Sequence, residues 1–360
     1  MVYFVFFIIS VLMLLGYNNR TRYGKRSILF TILISFSLLS GLRTAAIGSD
    51  TSAYPLGCYQ VAAFTSTFTD FNNRVSDLYF MNEIGYKVLA YVCNKIFNDF
   101  NFFLFLCAVI VNGSFLYFFT HLAKKYKIHL WILWLSYCCI MFNQSLNLAK
   151  QYLSISLCLI AYVNFEKDRK KIGIAAFVGA LTFHFTSVAF LCIYFLKYLK
   201  SSLLRIALIA CIIITVSGNY IIIKELTSRF EIFHRFAVYL GNKDGDVPLF
   251  EVLYHSLFLV VPFILYKAKK TFISKEIFSE FSYLIIAEIS FFMFNYISAQ
   301  AGRMGLYLLP LCLAFIPIVA VNSNYRKTIH FIYAVSLLAF WYVTIVIQGS
   351  TCTYPYESIL

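Results

Sequence analysis

Positively charged side chains adjoin apolar runs at three separate places in this sequence, where they could bind an anion. Arg43 lies in LRTAAIGSDTSAY, Lys150 in FNQSLNLAKQY and Arg303 in NYISAQAGRMGLY. An arginine at the end of an apolar helix commonly extends to lipid headgroups, whereas an ionisable residue inside one is functional by default. His184, in ALTFHFTSVAF, adds a side chain that titrates near neutral pH or bonds to a carbonyl.

These residue types suit the transfer of a sugar away from a lipid diphosphate. Diphosphate is a good leaving group, so cations that neutralise its growing charge can replace a general acid. Each charge-assisted hydrogen bond would contribute about 1.5–3 kcal/mol. Arg43, Lys150 and Arg303 could supply the cations, and His184 could accept the proton of the attacking hydroxyl. Such a site would need no metal and no other cofactor.

Polar residues next to the cations complete the candidate site. Asp50 could orient a cation or a sugar hydroxyl, or act as the base instead of the histidine, although Asp after Gly-Ser is also an ordinary turn residue. Gly48 would allow the chain to turn before it. Asn147 precedes Lys150 by three residues and Gln151 follows it, so on one helix Asn147 and Lys150 would share a face.

Composition places the chain among polytopic α-helical membrane proteins. Of 360 residues, 61% are hydrophobic and 13% are charged, and the mean hydropathy is +0.77. A soluble protein of this length needs more polar surface, and the apolar runs lack the alternation of β-barrel strands. The net charge of +14 is spread over short clusters, which argues against a nucleic-acid partner. Glu288, inside an apolar run, is either a buried partner for a cation or part of a pathway.

The basic clusters between the apolar runs predict the topology. If all of them face the cytoplasm, the run at 172–199 must break near Thr182–Thr186 into a helical hairpin with His184 at its outer tip. This predicts about twelve membrane segments with both termini outside. The apolar runs lie at 2–17, 27–42, 101–121, 128–143, 148–165, 172–199, 203–219, 251–268, 278–298, 304–322 and 328–347.

The predicted domain organisation is a single transmembrane domain over residues 1–360, with outer loops at 43–100 and 220–250. The first loop contains EIGYKVLAYVCNKIF, which is too short and too interrupted to span and should lie along the interface or re-enter the membrane. The cytoplasmic loops are short. The candidate site should therefore face outward.

Six segments, taken in order, resemble the EpsG/Wzy-type polysaccharide polymerases, which join O-antigen or capsule repeat units. They span nearly the whole chain and read LRTAAIGSDTSAY, EIGYKVL, FNQSLNLAKQYLSISL, GALTFHFTSVAFL, AGRMGLYLLP and YPYES. The resemblance implies a helical fold related to the membrane-embedded C-type glycosyltransferases, without a metal cofactor. It places the protein in the bacterial inner membrane, with its active site facing the periplasm.

The resemblance also implies partners and site residues. The substrate would be an undecaprenyl-diphosphate-linked oligosaccharide, and membrane lipid and a chain-length regulator protein would be further partners. Lys150 stands where the family usually has arginine in LN-x-x-RQ, so the charge is kept but the bidentate fork is lost. The predicted catalytic residues are His184 and Asp50. The predicted substrate-binding residues are Arg43, Asn147, Lys150, Gln151, Arg303, Glu83, Tyr86, Tyr354 and Tyr356.

Two rival functions stay open at the level of sequence. A flippase or transporter of the same lipid-linked substrate would tend to show related halves and polar breaks near the midplane, whereas here the polar residues gather at one face. An O-antigen ligase shares the leaving-group chemistry, and only the ordered segments favour a polymerase. The sequence does not specify the sugars, the stereochemistry of the new bond or the choice between O-antigen and capsule.

Overall fold

The computed structural model describes residues 2–79, 81–199, 206, 249–293 and 302–359. Within these ranges the chain is helical and contains no β-strand, which confirms the all-α prediction. The predicted run at 203–219, Ile206 excepted, lies outside the described residues. The predicted outer loop at 220–250 also lies outside them up to residue 248.

The chain divides into two units, formed by Met1–Phe185 with His330–Leu360 and by Thr186–Ile329. The helices of the first unit include α1 (Val2–Leu15), α2 (Arg22–Gly41), α3 (Ser49–Thr51), α4 (Gly57–Phe64), α5 (Phe68–Tyr79), α6 (Ile84–Phe97), α7 (Phe100–Tyr126), α8 (Leu130–Ser136), α9 (Asn143–Asn147), α10 (Ala149–Glu166) and α11 (Lys170–Phe183). Helical turns of π type join α3 to α4 at Ser52–Leu56 and α8 to α9 at Tyr137–Phe142.

The second unit contains α12 (Leu191–Tyr198), α13 (Leu249–Lys267), α14 (Lys275–Met293), a 3₁₀ helix at Arg303–Tyr307, α15 (Leu309–Cys312) and α16 (Phe315–Val321). Helix α17 (Arg326–Trp341) begins in the second unit and continues into the first, where a π turn extends it over Tyr342–Ile347.

Four helical segments of the described chain are long and apolar enough to cross a membrane. They are Val2–Asn19, Phe100–Tyr126, Leu249–Lys267 and Arg326–Ile347. Shorter apolar helices lie at Phe185–Lys197 and Leu309–Val321. This pattern agrees with an all-α membrane protein.

Helix α7 organises the first unit by packing against both α2 and α10. Its start is fixed by Asp99, whose carboxylate accepts hydrogen bonds from the main-chain N–H groups of Asn101 and Phe102 at 2.8 and 3.1 Å. Its end is marked by Lys127, which adopts a left-handed conformation with φ of 57°. Helix α10 in turn packs along α11. The start of α10 and the end of α11 therefore belong to the same layer of helices.

The run at 172–199 is broken inside the predicted window. Helix α11 ends at Phe183, and His184 is extended, with φ of −162° and ψ of 121°. The chain becomes helical again as a 3₁₀ turn at Phe185–Phe190. The break is thus confirmed, while the hairpin and the total of about twelve crossings stay predictions.

The predicted outer loop at 43–100 is mostly helical, because α3 to α6 lie within it. Helix α4 packs on α6, and α5 contacts both. The apolar segment that is too short to span forms α6. Its inner face is buried, with Tyr86 and Ala90 both at 0% exposure.

Helix α14 organises the second unit, where it packs against α13 and the 3₁₀ helix. Glu288 on α14 is 0% exposed, and its Oε1 lies 2.8 Å from Nδ1 of His255 on α13. Glu288 is therefore buried and paired with a histidine, which would be a cation when protonated, and its role in a pathway is not tested by this contact. A Cβ added at Gly305 would lie 3.0 Å from the Glu288 carbonyl oxygen, so the 3₁₀ helix sits directly on α14.

Candidate functional site

Arg43 is buried just beyond the end of α2, with 3% of its surface exposed. Its Nη1 donates to the Ser40 carbonyl oxygen, and its Nη2 donates to the Leu146 carbonyl oxygen at 3.0 Å. These carbonyls lie at the C-terminal ends of α2 and α9, where a cation offsets the helix dipole. Burial lowers the pKa of Arg43 to about 10, so the guanidinium is still protonated at neutral pH.

A small cavity of about 20 Å³, partly open to solvent, adjoins this guanidinium. Within the described residues, the Arg43 Nε has no hydrogen-bond partner. The pocket walls include Ser40, Leu104, Asn112, Ser145 and Ala149, which come from α2, α7, α9 and α10. Arg43 therefore joins two helix ends beside a small, mostly apolar cavity.

Gly48 and Asn147 shape the turn that carries Asp50. Gly48 has a φ of 87°, and a Cβ there would lie 2.9 Å from the Thr51 hydroxyl oxygen and 3.1 Å from the Cα of Asn147. This confirms that the turn needs glycine. The Asn147 Oδ1 accepts the main-chain N–H of Asp50 at 2.8 Å. Asn147 thus fixes the start of α3 from the end of α9.

The C-terminal tail is bonded to the segment that follows α2. The main-chain N–H of Thr44 donates to the Glu357 carbonyl oxygen at 3.0 Å, and that of Gly48 donates to the Cys352 carbonyl oxygen at 2.8 Å. Tyr356 donates its hydroxyl to the Leu39 carbonyl oxygen at 2.9 Å, whereas Tyr354 has 36% of its surface exposed. Tyr356 thus supports the Arg43 segment, and Tyr354 is accessible.

Lys150 and Glu83 form an ion pair in the first unit. Lys150 lies in the first turn of α10, Glu83 immediately precedes α6, and their Nζ and Oε2 are 3.4 Å apart. The Lys150 Nζ also lies 5.6 Å from the centroid of the Tyr54 ring. About a quarter of each charged side chain is exposed, at 23% for Lys150 and 24% for Glu83. Solutes can therefore reach the ion pair of Lys150 and Glu83.

The ionisation of Glu83 depends on its neighbours. Burial has the largest single effect and raises the pKa of this carboxyl, but the positive charge of Lys150, a main-chain hydrogen bond, the charge of His184 and the hydrogen bond from Lys150 together lower it more. The net effect places the pKa of Glu83 below its ordinary value. Glu83 is thus a carboxylate at neutral pH, and it lies close enough to His184 for the two charges to interact.

Close packing of α6 on α11 brings Glu83 toward His184. A Cβ added at Gly85 would lie 2.4 Å from the Thr182 hydroxyl oxygen and 3.0 Å from the Phe183 ring. Only glycine fits there without a shift. Because Gly85 follows Glu83 by two residues and Thr182 precedes His184 by two, this contact sets how near the two functional side chains lie.

The first unit thus brings together most of the predicted site. Asp50 contacts Asn147, and Lys150 pairs with Glu83, whose ionisation is affected by the charge of His184. Gln151 and Tyr86 are buried, with 2% and 0% of their surfaces exposed. Arg303 belongs to the second unit, where it begins the 3₁₀ helix, so its meeting with the other cations stays a prediction.

One local prediction is wrong, and one contact had no signal in the sequence. Asn147 and Lys150 do not share a helical face, because Leu148, with φ of −92° and ψ of 54°, separates α9 from α10. The pairing of Lys150 with Glu83, 67 residues away, was not predicted. Gly85, the glycine of the E-x-G-Y element, was the sequence feature that could have indicated close packing at this point.

In the described part of the chain, no group of three or more His, Cys, Asp or Glu side chains could hold a metal ion.

Comparison with known proteins identifies a family. Residues 26–358 match the sequence model of the EpsG family, so the match includes every predicted site residue. No curated protein and no solved structure matches the chain. The family indicates a membrane protein with a glycosyltransferase-like, polysaccharide polymerase-type role. Because the match covers nearly the whole sequence, the chain belongs to the EpsG family.

Proposed function

We propose that this protein is a repeat-unit polymerase for a polysaccharide such as O-antigen. It transfers the growing undecaprenyl-diphosphate-linked glycan onto the non-reducing end of a new lipid-linked repeat unit, at the periplasmic face of the bacterial inner membrane. The observation that supports this best is the cluster of Lys150, Glu83 and His184 in a member of the EpsG family. A chain-length regulator protein is proposed as a partner.

In the proposed reaction, a hydroxyl oxygen of the new unit attacks the anomeric carbon of the growing chain. The bond from that carbon to the diphosphate oxygen breaks, and the diphosphate leaves with the electron pair. Lys150, in the first turn of α10, would neutralise this charge together with the helix N-terminus. Arg303 is proposed as the second cation.

The proton of the attacking hydroxyl needs an acceptor, for which His184 is proposed. Histidine titrates near the working pH, which suits a general base. Asp50 is the alternative base or orients a sugar hydroxyl. Arg43 would act mainly through the segments that it joins, because carbonyl groups engage its guanidinium.

The proposed topology follows from the basic clusters. It has about twelve membrane segments with both termini outside, in one transmembrane domain. The interruption of the helix at His184 supports the hairpin on which this topology depends.

Deletion of the gene tests the proposed function against its rivals. A lost polymerase should leave single, unpolymerised repeat units on the cell surface. A lost flippase would leave no surface repeats at all. A lost ligase would leave long chains on undecaprenyl diphosphate that are not joined to the lipid A core. Either of the last two outcomes would contradict the proposal.

A further inference from the structure

We propose that Glu83 is the resident counter-ion of Lys150 and that the substrate diphosphate displaces it, which frees the Glu83 carboxylate to orient His184 as the base. The inference rests on the proposed function, because it assumes that Lys150 receives a diphosphate. It assigns Glu83 a positioning role rather than direct contact with the sugar.

The geometry of the ion pair between Lys150 and Glu83 allows another anion to replace Glu83. The Oε2 of Glu83 accepts the main-chain N–H of Asn82 at 3.2 Å and lies 3.4 Å from the Lys150 Nζ. Charge-assisted hydrogen bonds are usually shorter, about 2.7–2.9 Å. A partly exposed pair at this distance contributes little to stability. Glu83 can therefore leave Lys150 at small cost.

Electrostatic repulsion favours movement of Glu83 away from Lys150 when an anion arrives. A carboxylate and a diphosphate at the same ammonium repel each other, because like charges at one site disfavour each other's ionised forms. The main chain of Glu83 is fixed, since its carbonyl oxygen accepts the N–H of Lys87 at 3.1 Å in the first turn of α6. The displacement is thus a rotation of the side chain.

His184 is the partner that we propose for the displaced carboxylate. The tight contact of Gly85 with Thr182 and Phe183 holds the start of α6 against the end of α11. The charge of His184 already acts on Glu83, after the larger effects of burial and Lys150. A carboxylate that accepts a hydrogen bond from one imidazole nitrogen fixes the tautomer and stabilises the imidazolium formed when the other nitrogen takes a proton.

This exchange couples binding to chemistry. In the structure, Lys150 contacts Glu83 and the Tyr54 ring. In the proposed substrate complex, Lys150 binds the diphosphate and Glu83 orients His184. The hydroxyl proton passes to His184, the anomeric carbon gains the acceptor oxygen, and the diphosphate leaves, so charge and atoms balance.

The test compares Glu83→Gln with wild type in the detergent-solubilised full chain. Calorimetric titration with inorganic pyrophosphate measures affinity, and polymerisation of lipid-linked repeat units measures kcat and KM. Because Gln keeps the shape but does not compete for Lys150, pyrophosphate should bind about fivefold tighter, the factor that corresponds to a partly exposed ion pair. The kcat should nonetheless fall about 10²-fold, because the base loses its carboxylate.

Two further variants keep the result interpretable. Glu83→Asp retains the charge and should bind pyrophosphate like wild type, which shows that the gain in Glu83→Gln is electrostatic. Asp70→Asn removes a carboxylate from an exposed pair with Arg74, where the two side chains are 41% and 59% exposed, and should change neither affinity nor kcat.

The outcomes separate this inference from the proposed function. If Glu83→Gln binds pyrophosphate no tighter than wild type, or keeps the wild-type kcat, the exchange is wrong while the polymerase proposal stands. If Lys150→Ala binds pyrophosphate as well as wild type does, or if wild type does not bind it, Lys150 is no diphosphate site. Both proposals then fail.

Discussion

Arg43 and Lys150 carry the same charge, but their surroundings differ. The planar guanidinium of Arg43 bonds to two main-chain carbonyls from different helices, a geometry that its fixed fork of donors allows. The compact ammonium of Lys150 is partly exposed beside Glu83 and Tyr54. The first residue is thus suited to holding the site together, and the second to meeting a substrate.

This difference predicts that replacing Arg43 by lysine and replacing Lys150 by arginine will have unequal effects. Arg43→Lys should leave a buried carbonyl at Ser40 or Leu146 without its donor and reduce the free energy of unfolding by about 1–3 kcal/mol. Lys150→Arg keeps the positive charge and adds a guanidinium that can bind in a bidentate way. This variant should therefore retain wild-type stability and polymer length. Thermal unfolding and the polymer ladder measure both effects. Wild-type stability of Arg43→Lys would contradict the bracing role.

At the scale of secondary-structure elements, contacts between helices determine where the functional side chains lie. The turn before α3 depends on Gly48 and Asn147, and the approach of α6 to α11 depends on Gly85. The side chains that bear charge sit at helix ends: Lys150 begins α10, Glu83 precedes α6 and His184 follows α11. Small shifts of these helices would therefore separate functional groups without unfolding the unit.

Gly85→Ala tests this dependence on packing. The added Cβ would lie 2.4 Å from the Thr182 hydroxyl oxygen, so α6 must move, and overpacking of this kind costs about 1–3 kcal/mol. Polymer formation should fall because Glu83 and His184 move apart. The matched control is Gly113→Ala on α7, where the added Cβ meets only Leu33, at 3.7 Å. Equal polymer from the two variants would argue against the contact.

Helix α6 also presents an apolar stripe to its surroundings. Ile84, Val88, Val92 and Ile96 recur every four residues and are 43–65% exposed, whereas the opposite face is buried. Such a stripe on a short helix of a membrane protein predicts contact with lipid. Spin labels at cysteines introduced for Val88 and Val92, after Cys352→Ser, should be accessible to oxygen and shielded from water-soluble reagents. A label at Asn73, exposed on α5, should show the reverse; a water-accessible stripe would contradict the prediction.

Much of the element pattern was predictable, and most of the long-range contacts were not. Apolar runs give helices because length and hydropathy are local properties. The break near His184 was predictable because the basic clusters require it. The burial of Arg43 had no signal, since its partners are carbonyls, which every residue carries. The interruption at Leu148 was missed because the three-residue spacing of Asn147 and Lys150 fits one helix, although Asn143, Ser145 and Asn147 are weak helix formers. The partner of Lys150 depends on how distant helices pack.

At the scale of the whole molecule, the proposed function requires a defined orientation in the membrane. The basic clusters and the interrupted helix at His184 predict that Lys200 and Lys270 face the cytoplasm. Reporter fusions after these residues should be active only with a cytoplasmic reporter. A periplasmic location for both would rule out the hairpin and the proposed topology of about twelve segments.

The proposed mechanism requires that Lys150 and Arg303 each contribute a positive charge to binding of the substrate diphosphate. The most direct measurement is the polysaccharide ladder of a deletion strain that expresses Lys150→Ala or Arg303→Ala at wild-type level. Loss of either cation should remove charge-assisted bonds worth about 1.5–3 kcal/mol each, so both strains should accumulate single repeats and very short chains. Full-length polymer from both variants would contradict the account.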